Sequence, residues 1–175
     1  MKEKIIEEKR IFTGRLLKLN ADRVSLKDGT KTFREYVSHP GAVAALPFIN
    51  ESEIILVRQY RYPVNEVLLE IPAGTIEEGE SPIQTIQREL QEEINYKPGK
   101  LEKIGDIYLT PGYSNEIIHL FKASDLIPCS LKRPSEEKIE IVKIKIEDVV
   151  KKINKGEIKD GKTIIAILAF ISRTF

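Results

Sequence analysis

The chain has 175 residues, 41% hydrophobic and 31% charged, enough for a globular domain with a full core. Its 28 Lys and Arg against 27 Asp and Glu leave a formal net charge of +1, without the basic excess of a nucleic-acid-binding protein. The longest apolar run, Ile164 to Ile171, is too short to span a bilayer, and a single cysteine, Cys129, excludes an intrachain disulfide and a Cys-based zinc site.

The opening "MKEKIIEEKR" is too densely charged for a secretory leader, so a cytoplasmic protein with no nucleic-acid or membrane partner is expected. From there to His39 the chain reads as short β-rich runs, broken at Gly14, Asn20 and the hairpin signal Asp28-Gly29. "GAVAALPFIN" and "EIILVRQYR" are nearly continuous apolar runs, as expected of strands covered on both faces. "VLLEIPAG" reads as one further strand, ending at Pro72 and Gly74. An acidic helix follows. Beyond it, "LEKIGDIYL", "EIIHLFKA" and "KIEIVKIKI" predict three more strands, the last with a slip in its alternation that suggests a bulge. "EDVVKKINKG" and "KTIIAILAFISR" predict closing helices. This order predicts an α/β/α sandwich around a mixed sheet. His39 and His119, far apart in sequence, are expected to pack or hydrogen-bond rather than ligate metal.

The acidic helix has a well-marked start. Ser81 is a good N-cap, Pro82 suits the first helical position, and Gln84 completes a capping box. Ile83, Ile86, Leu90 and Ile94 form one apolar stripe. Beside it Glu89, Glu92 and Glu93 fall within roughly 100° of arc. Like charges at this spacing repel by about 0.2–0.5 kcal/mol per pair. Glu92 and Glu93 also sit in the last turn, where the helix dipole disfavours anions by about 0.3–1 kcal/mol each. Arg88 to Glu92 and Lys97 to Glu93 offset only part of this. A hard divalent cation would turn the repulsion into ligation, Mg²⁺ or Mn²⁺ suiting an all-oxygen donor set. A solvated acidic face is the alternative, and the physics of the segment alone leaves both open.

The stretch from Gly74 to Tyr96 resembles a Nudix box: Gly74, Glu80, Arg88, Glu89, Leu90, Glu92 and Glu93 stand at its defined places. Asn95 replaces the usual glycine after the helix, a position expected to be left-handed, which Asn tolerates best among other residues. Tyr96 is bulkier than usual. Most of the chain is similar to one branch, the ADP-ribose pyrophosphatases, through "REYVSHPGAVAALPF", "VRQYRYP", "LLEIPAGTIEEGE", "YLTPGYSNEIIHLFKA" and "GEIKDGKTIIAILAF". Pro111, sixteen residues past Asn95, matches that branch's marker proline.

The resemblance implies a Nudix-type α/β/α sandwich over residues 41–175, with an antiparallel β extension over 1–40 that serves dimerisation and substrate binding. It implies that ADP-ribose and water give AMP and ribose 5-phosphate, with two or three Mg²⁺ ions held by Glu89, Glu92, Glu93 and the carbonyl of Ala73. Glu93 and Arg88 are implied catalytic residues, Arg88 by orienting a box carboxylate; Glu80 either braces the loop or acts behind the metal ligands. The general base is expected at Glu137, with Glu136 second and Glu116 a rival that could instead help bind metal or position substrate. Arg61 and, less directly, Arg34 are implied diphosphate contacts. Phe33 stands either where an adenine would stack or as a core residue. Relatives of this kind form homodimers with exchanged N-terminal strands. Two rival readings accompany this one: a Nudix enzyme for a nucleotide sugar, dinucleoside polyphosphate or dinucleotide coenzyme, and a sensor that binds ADP-ribose without cleaving it.

Overall fold

The computed structural model describes residues 2–130 and 138–172. They fall into two compact units: Met1–Gly41 with Tyr108–Ile117, and Ala42–Ile107 with Ile118–Phe175.

The first unit is a small antiparallel sheet. Its centre is β3 (Lys18–Ser25), which pairs with β1 (Lys4–Glu7), β2 (Arg10–Thr13) and β4 (Lys31–Ser38). The expected hairpin joins β3 to β4: Gly29 takes φ +84°, and the Asp28 carboxylate accepts the Thr30 amide at 2.9 Å. Asn20 does not break the chain as expected. It lies inside β3 and is buried, and its side-chain oxygen accepts a 2.6 Å hydrogen bond from Arg10 Nε, which satisfies a polar group there. Tyr108–Ile117 joins this unit through Val37, whose amide donates to Tyr113 and whose carbonyl accepts from Asn115.

The second unit has two sheets between helices. One has the order β8-β5-β10-β9, formed by β8 (Ala73–Thr75), β5 (Ala42–Pro47), β10 (Ile117–Pro128) and β9 (Tyr96–Tyr108). It is mixed, since β10 runs parallel to β5 and β8 antiparallel. The other is antiparallel, with β6 (Glu53–Arg61) between β7 (Glu66–Glu70) and β11 (Ile139–Lys145). β5 is buried throughout, as its unbroken apolar sequence requires. Ala42, Ala44 and Leu46 face one core with Val149, Ala166 and Ile167, from α2 (Ile146–Asn154) and α3 (Gly161–Ser172). Val43 and Ala45 face another with Ile86, Leu90 and Ile94 of α1 (Pro82–Ile94). The α/β/α layering is therefore the observed one.

Three further local expectations change. "VLLEIPAG" is two strands in two sheets: β7 ends at Glu70, and the chain crosses over Ile71 and Pro72 into β8. β11 carries no bulge, its ladder with β6 being continuous from Ile139 to Lys145. The apparent slip arises because Ile139 and Ile141 meet the α1 core while Ile144 meets the other. Ile83 leaves the apolar stripe of α1 and is exposed, because burial in that helix begins only at Thr85.

Candidate active site

Helix α1 is positioned by its own sequence. Ser81 and Gln84 form the reciprocal capping box, and the Ser81 amide donates to Gln84 Oε1 at 2.9 Å. Asn95 closes the helix at φ 60°, its amide donating to Leu90 O, so the left-handed place is filled as expected. With Ile86, Leu90 and Ile94 locked into the core, the neighbouring face bearing Glu89 and Glu93 is turned toward β8.

Each carboxylate has a definite placement. Glu93 is buried and accepts the Ala73 amide at 3.1 Å. Glu89 lies over Gly74, where a Cβ would fall 2.0 Å from its carboxyl carbon; only glycine leaves room for it. Glu92 accepts from Arg88 Nη1 at 3.1 Å, and the same nitrogen donates to Glu89 Oε1 at 2.7 Å. The other edge of the Arg88 guanidinium grips Glu80 bidentately, at 2.9 and 3.1 Å. Thr85 Oγ1 adds a third donor to Glu80 at 2.9 Å. Chiefly because of Arg88, the Glu80 carboxyl is lowered to about 2, and the guanidinium is raised in return, chiefly by Glu80. Arg88 thus ties the loop before the helix to two acids on it.

Among the described residues no three His, Cys, Asp or Glu side chains form a closed metal cage. The donor set nonetheless fits a hard cation by chemistry: oxygen throughout, on one helix face, beside a glycine cradle that admits a carboxylate against the backbone. Unlike α2, which places Glu147 and Asp148 in its first turn and Lys151 and Lys152 in its last, α1 has no acid in its first turn and no base in its last. Its charges oppose the helix dipole, a local cost that folding alone does not explain.

Arg61, at the end of β6, meets Glu70 at the end of β7, donating from Nε at 2.8 Å and Nη2 at 2.7 Å. Glu70 is 1% exposed and also accepts from Lys162 Nζ. Burial alone would push its carboxyl up, but Arg61 and Lys162 together hold it below the ordinary glutamate value. Lys162 donates on to Asp160 at 2.9 Å, and Asp160 caps α3 by accepting the Thr163 amide at 3.0 Å. Thr163 Oγ1 in turn accepts the Ile71 amide at 2.8 Å. The negative Glu93 is among the charges that raise Arg61, after Glu70, so this network adjoins the acidic helix.

A model of the Nudix domain matches residues 38–164. The chain belongs to the Nudix family. An ADP-ribose pyrophosphatase of Bacillus subtilis (strain 168) is 41% identical over 169 residues, 95% of this chain and 91% of that one. A methanol dehydrogenase activator of Bacillus methanolicus is 39% identical over 170 residues, 94% of this chain and 90% of its own. The crystal structure of an ADP compounds hydrolase superposes with a TM-score of 0.87 at 20% identity, covering 98% of this chain and 94% of that one, and so shares the Nudix fold.

The remaining candidates lie apart from the box in sequence. Arg34, on β4, forms an exposed ion pair with Glu3, 2.6 Å at its shortest. Phe33 beside it is exposed, so it is not a core residue. The Glu116 amide donates to Ser114 Oγ at 3.1 Å, and the Glu116 carboxylate stands 3.7 Å from His39 Nδ1. His39 accepts the Gly41 amide and His119 lies 2.7 Å from Asp106, both hydrogen-bonding roles. Glu136 and Glu137 lie outside the described residues.

Sequence reasoning missed Glu70, Asp160, Lys162 and Thr163. Two signals were available: a lone acid inside the apolar run "VLLEIP", and a capping pattern "DGKT" before an apolar helix. That the two belong together, 92 residues apart, needed the fold.

Proposed function

We propose that this Nudix protein hydrolyses the diphosphate bond of ADP-ribose, giving AMP and ribose 5-phosphate, with a divalent metal as cofactor. The observation that carries the reading is the convergence of Glu89 and Glu93 on the Ala73-Gly74 turn, with Glu92 beside them on Arg88. The choice of substrate is supported by the 41% identical ADP-ribose pyrophosphatase, which matches nearly the whole chain.

Glu89, Glu92, Glu93 and the carbonyl of Ala73 would hold the metal, two or three Mg²⁺ or Mn²⁺ ions. When bound, such a cation neutralises the phosphoryl oxygens and lowers the pKa of a water. The chain's own residues do the rest. Arg61 keeps Nη1 without a partner among the described residues and is partly exposed, so it can pair with a diphosphate while Glu70 fixes its plane. Arg88 keeps Glu89 and Glu92 together and Glu80 braces it from behind. An acid outside the box, Glu137 or else Glu136 or Glu116, accepts the proton of the attacking water. The water's hydroxyl joins one phosphorus, and the bridging oxygen leaves on the other phosphate. Arg34 and Phe33 are offered as further contacts to the diphosphate and adenine.

The first unit supports a further part of the reading. Ile5, Ile6, Ile11, Phe12, Leu19 and Phe33 are all exposed on one small sheet, more apolar surface than a lone domain usually leaves to water. We propose that a second copy of the chain covers it, as a homodimer with exchanged N-terminal strands. No helix of the described residues is long and apolar enough to cross a membrane; with one cysteine, Cys129, the chain is suited to the cytoplasm.

Incubation with ADP-ribose, with Mg²⁺ and then with EDTA, beside a panel of other nucleoside diphosphate derivatives, tests the reading. AMP and ribose 5-phosphate released only with metal, and fastest from ADP-ribose, is the expected result. Faster cleavage of another panel member would replace the substrate, and binding without cleavage would leave a sensor. Glu92→Gln and Glu93→Gln should each lower kcat at least about a hundredfold with the fold intact by circular dichroism. Near wild-type turnover in either would sink the ligand assignment.

A further inference from the structure

The Glu70 network contains a charge arrangement that packing does not require. Glu70 is almost fully buried and shared by two cations, Arg61 and Lys162, while Lys162 is shared by two carboxylates, Glu70 and Asp160. The four charges sum to zero. Only Arg61 of the four has substantial exposure; Lys162, Asp160 and Glu70 lie inside. Were Glu70 paired with Arg61 alone, a carboxylate and a guanidinium would cancel and present nothing to an anion. Because Lys162 takes part of the Glu70 charge, Arg61 keeps a positive outer edge.

We propose that Lys162 is a positioning residue for substrate affinity: through Glu70 it leaves the Arg61 guanidinium both fixed in plane and electrostatically available to a diphosphate. The inference rests on the reading of Arg61 as a diphosphate contact and goes beyond it, to a residue 101 positions away that touches no substrate. The same arrangement gives Asp160 the opposite influence. Its charge draws on Lys162 and so weakens the relief of Glu70.

The arithmetic of charge makes the test sharp. Lys162→Met takes the cluster from 0 to −1, Asp160→Asn takes it to +1, and the double variant returns it to 0. Lys162→Met should raise KM for ADP-ribose by about tenfold, with kcat changed by less than about threefold. Asp160→Asn, which keeps an N-cap acceptor for Thr163, should lower KM by about threefold. The double variant should return KM to within about threefold of wild type, and Lys162→Arg should restore it. A merely structural role predicts the reverse: both single variants raise KM and the double variant is worst. That outcome overturns the inference, as does a flat KM across the series. If Lys162→Met fails to fold, Asp160→Asn alone decides by the direction of its KM.

ADP-ribose affinity measured by calorimetry in EDTA separates this inference from the functional reading. A wild-type protein that binds but does not cleave, with the same charge-ordered affinities, would uphold the role of Lys162 and overturn the hydrolase reading. Normal hydrolysis with no charge order would do the opposite.

Discussion

Gly74 and Ala73 are two adjacent residues with different ties to the acidic helix. One admits the Glu89 side chain against bare backbone, and the other offers its amide to Glu93. Gly74→Ala should therefore separate activity from stability. Its new methyl meets the far end of a flexible glutamate rather than backbone, so Glu89 swings aside at little cost to the fold. The melting temperature should fall by only a few degrees, equivalent to about 1 kcal/mol, while kcat drops roughly 10–100-fold as the carboxylate loses its orientation. A stable variant with wild-type kcat would remove Glu89 from the machinery. The glycine, the three glutamates and the left-handed Asn95 were all legible in the sequence, because each answers to a spacing within 22 residues. Arg88 was only half legible. Its bond to Glu92 is the ordinary neighbour on a helix, but its bidentate grip on Glu80 depends on how the loop folds back.

At the scale of the element, α1 is well capped but wrongly charged for its dipole, and the Glu80–Arg88 pair fastens its entry loop. The pair has a pH signature. The Glu80 carboxyl is depressed to about 2 in the folded protein from an ordinary value of 4.5, so it contributes stability that is present above pH 4.5. That contribution is lost as pH falls from 4.5 toward 2. Arg88→Gln should flatten this part of the stability curve, measured as melting temperature against pH, and leave the neutral-to-alkaline limb parallel to wild type. An acid limb identical in both proteins would contradict the assignment. The strands were read well where one face or both are apolar, as in β5. Reading failed where a segment serves two environments: "VLLEIPAG" changes sheets at Ile71 and Pro72, and β11 meets two cores, which a one-dimensional alternation registers as a slip.

For the whole molecule, the order of strands and helices was sufficient to predict the layered second unit, because apolar periodicity reports burial directly. The pairing of Glu70 with Lys162 was not, since a contact across 92 residues leaves no local pattern. Nor could composition alone tell that so many of the apolar residues of the first unit would remain at the surface. If a second copy covers them, sedimentation at micromolar concentration should give twice the 20.0 kDa chain mass. Phe12→Glu should then shift the protein toward monomer and raise KM for ADP-ribose at low protein concentration. A wild-type monomer at high concentration would end the dimer reading.

The crossover at Ile71 and Pro72 has a bearing on time as well as shape. Its Ile71 amide is pegged to the buried Thr163 hydroxyl and its Ala73 amide to a buried glutamate, so the turn bearing the proposed chemistry hangs from two fixed points. Functional turns are commonly the quickest parts of a protein to open; this one should be among the slowest. In deuterated buffer the Ile71 amide should exchange only through global unfolding, hours after the amides of the Asp28-Gly29 hairpin. Any movement that admits substrate or releases product must then be made by other segments, with the glutamates holding still.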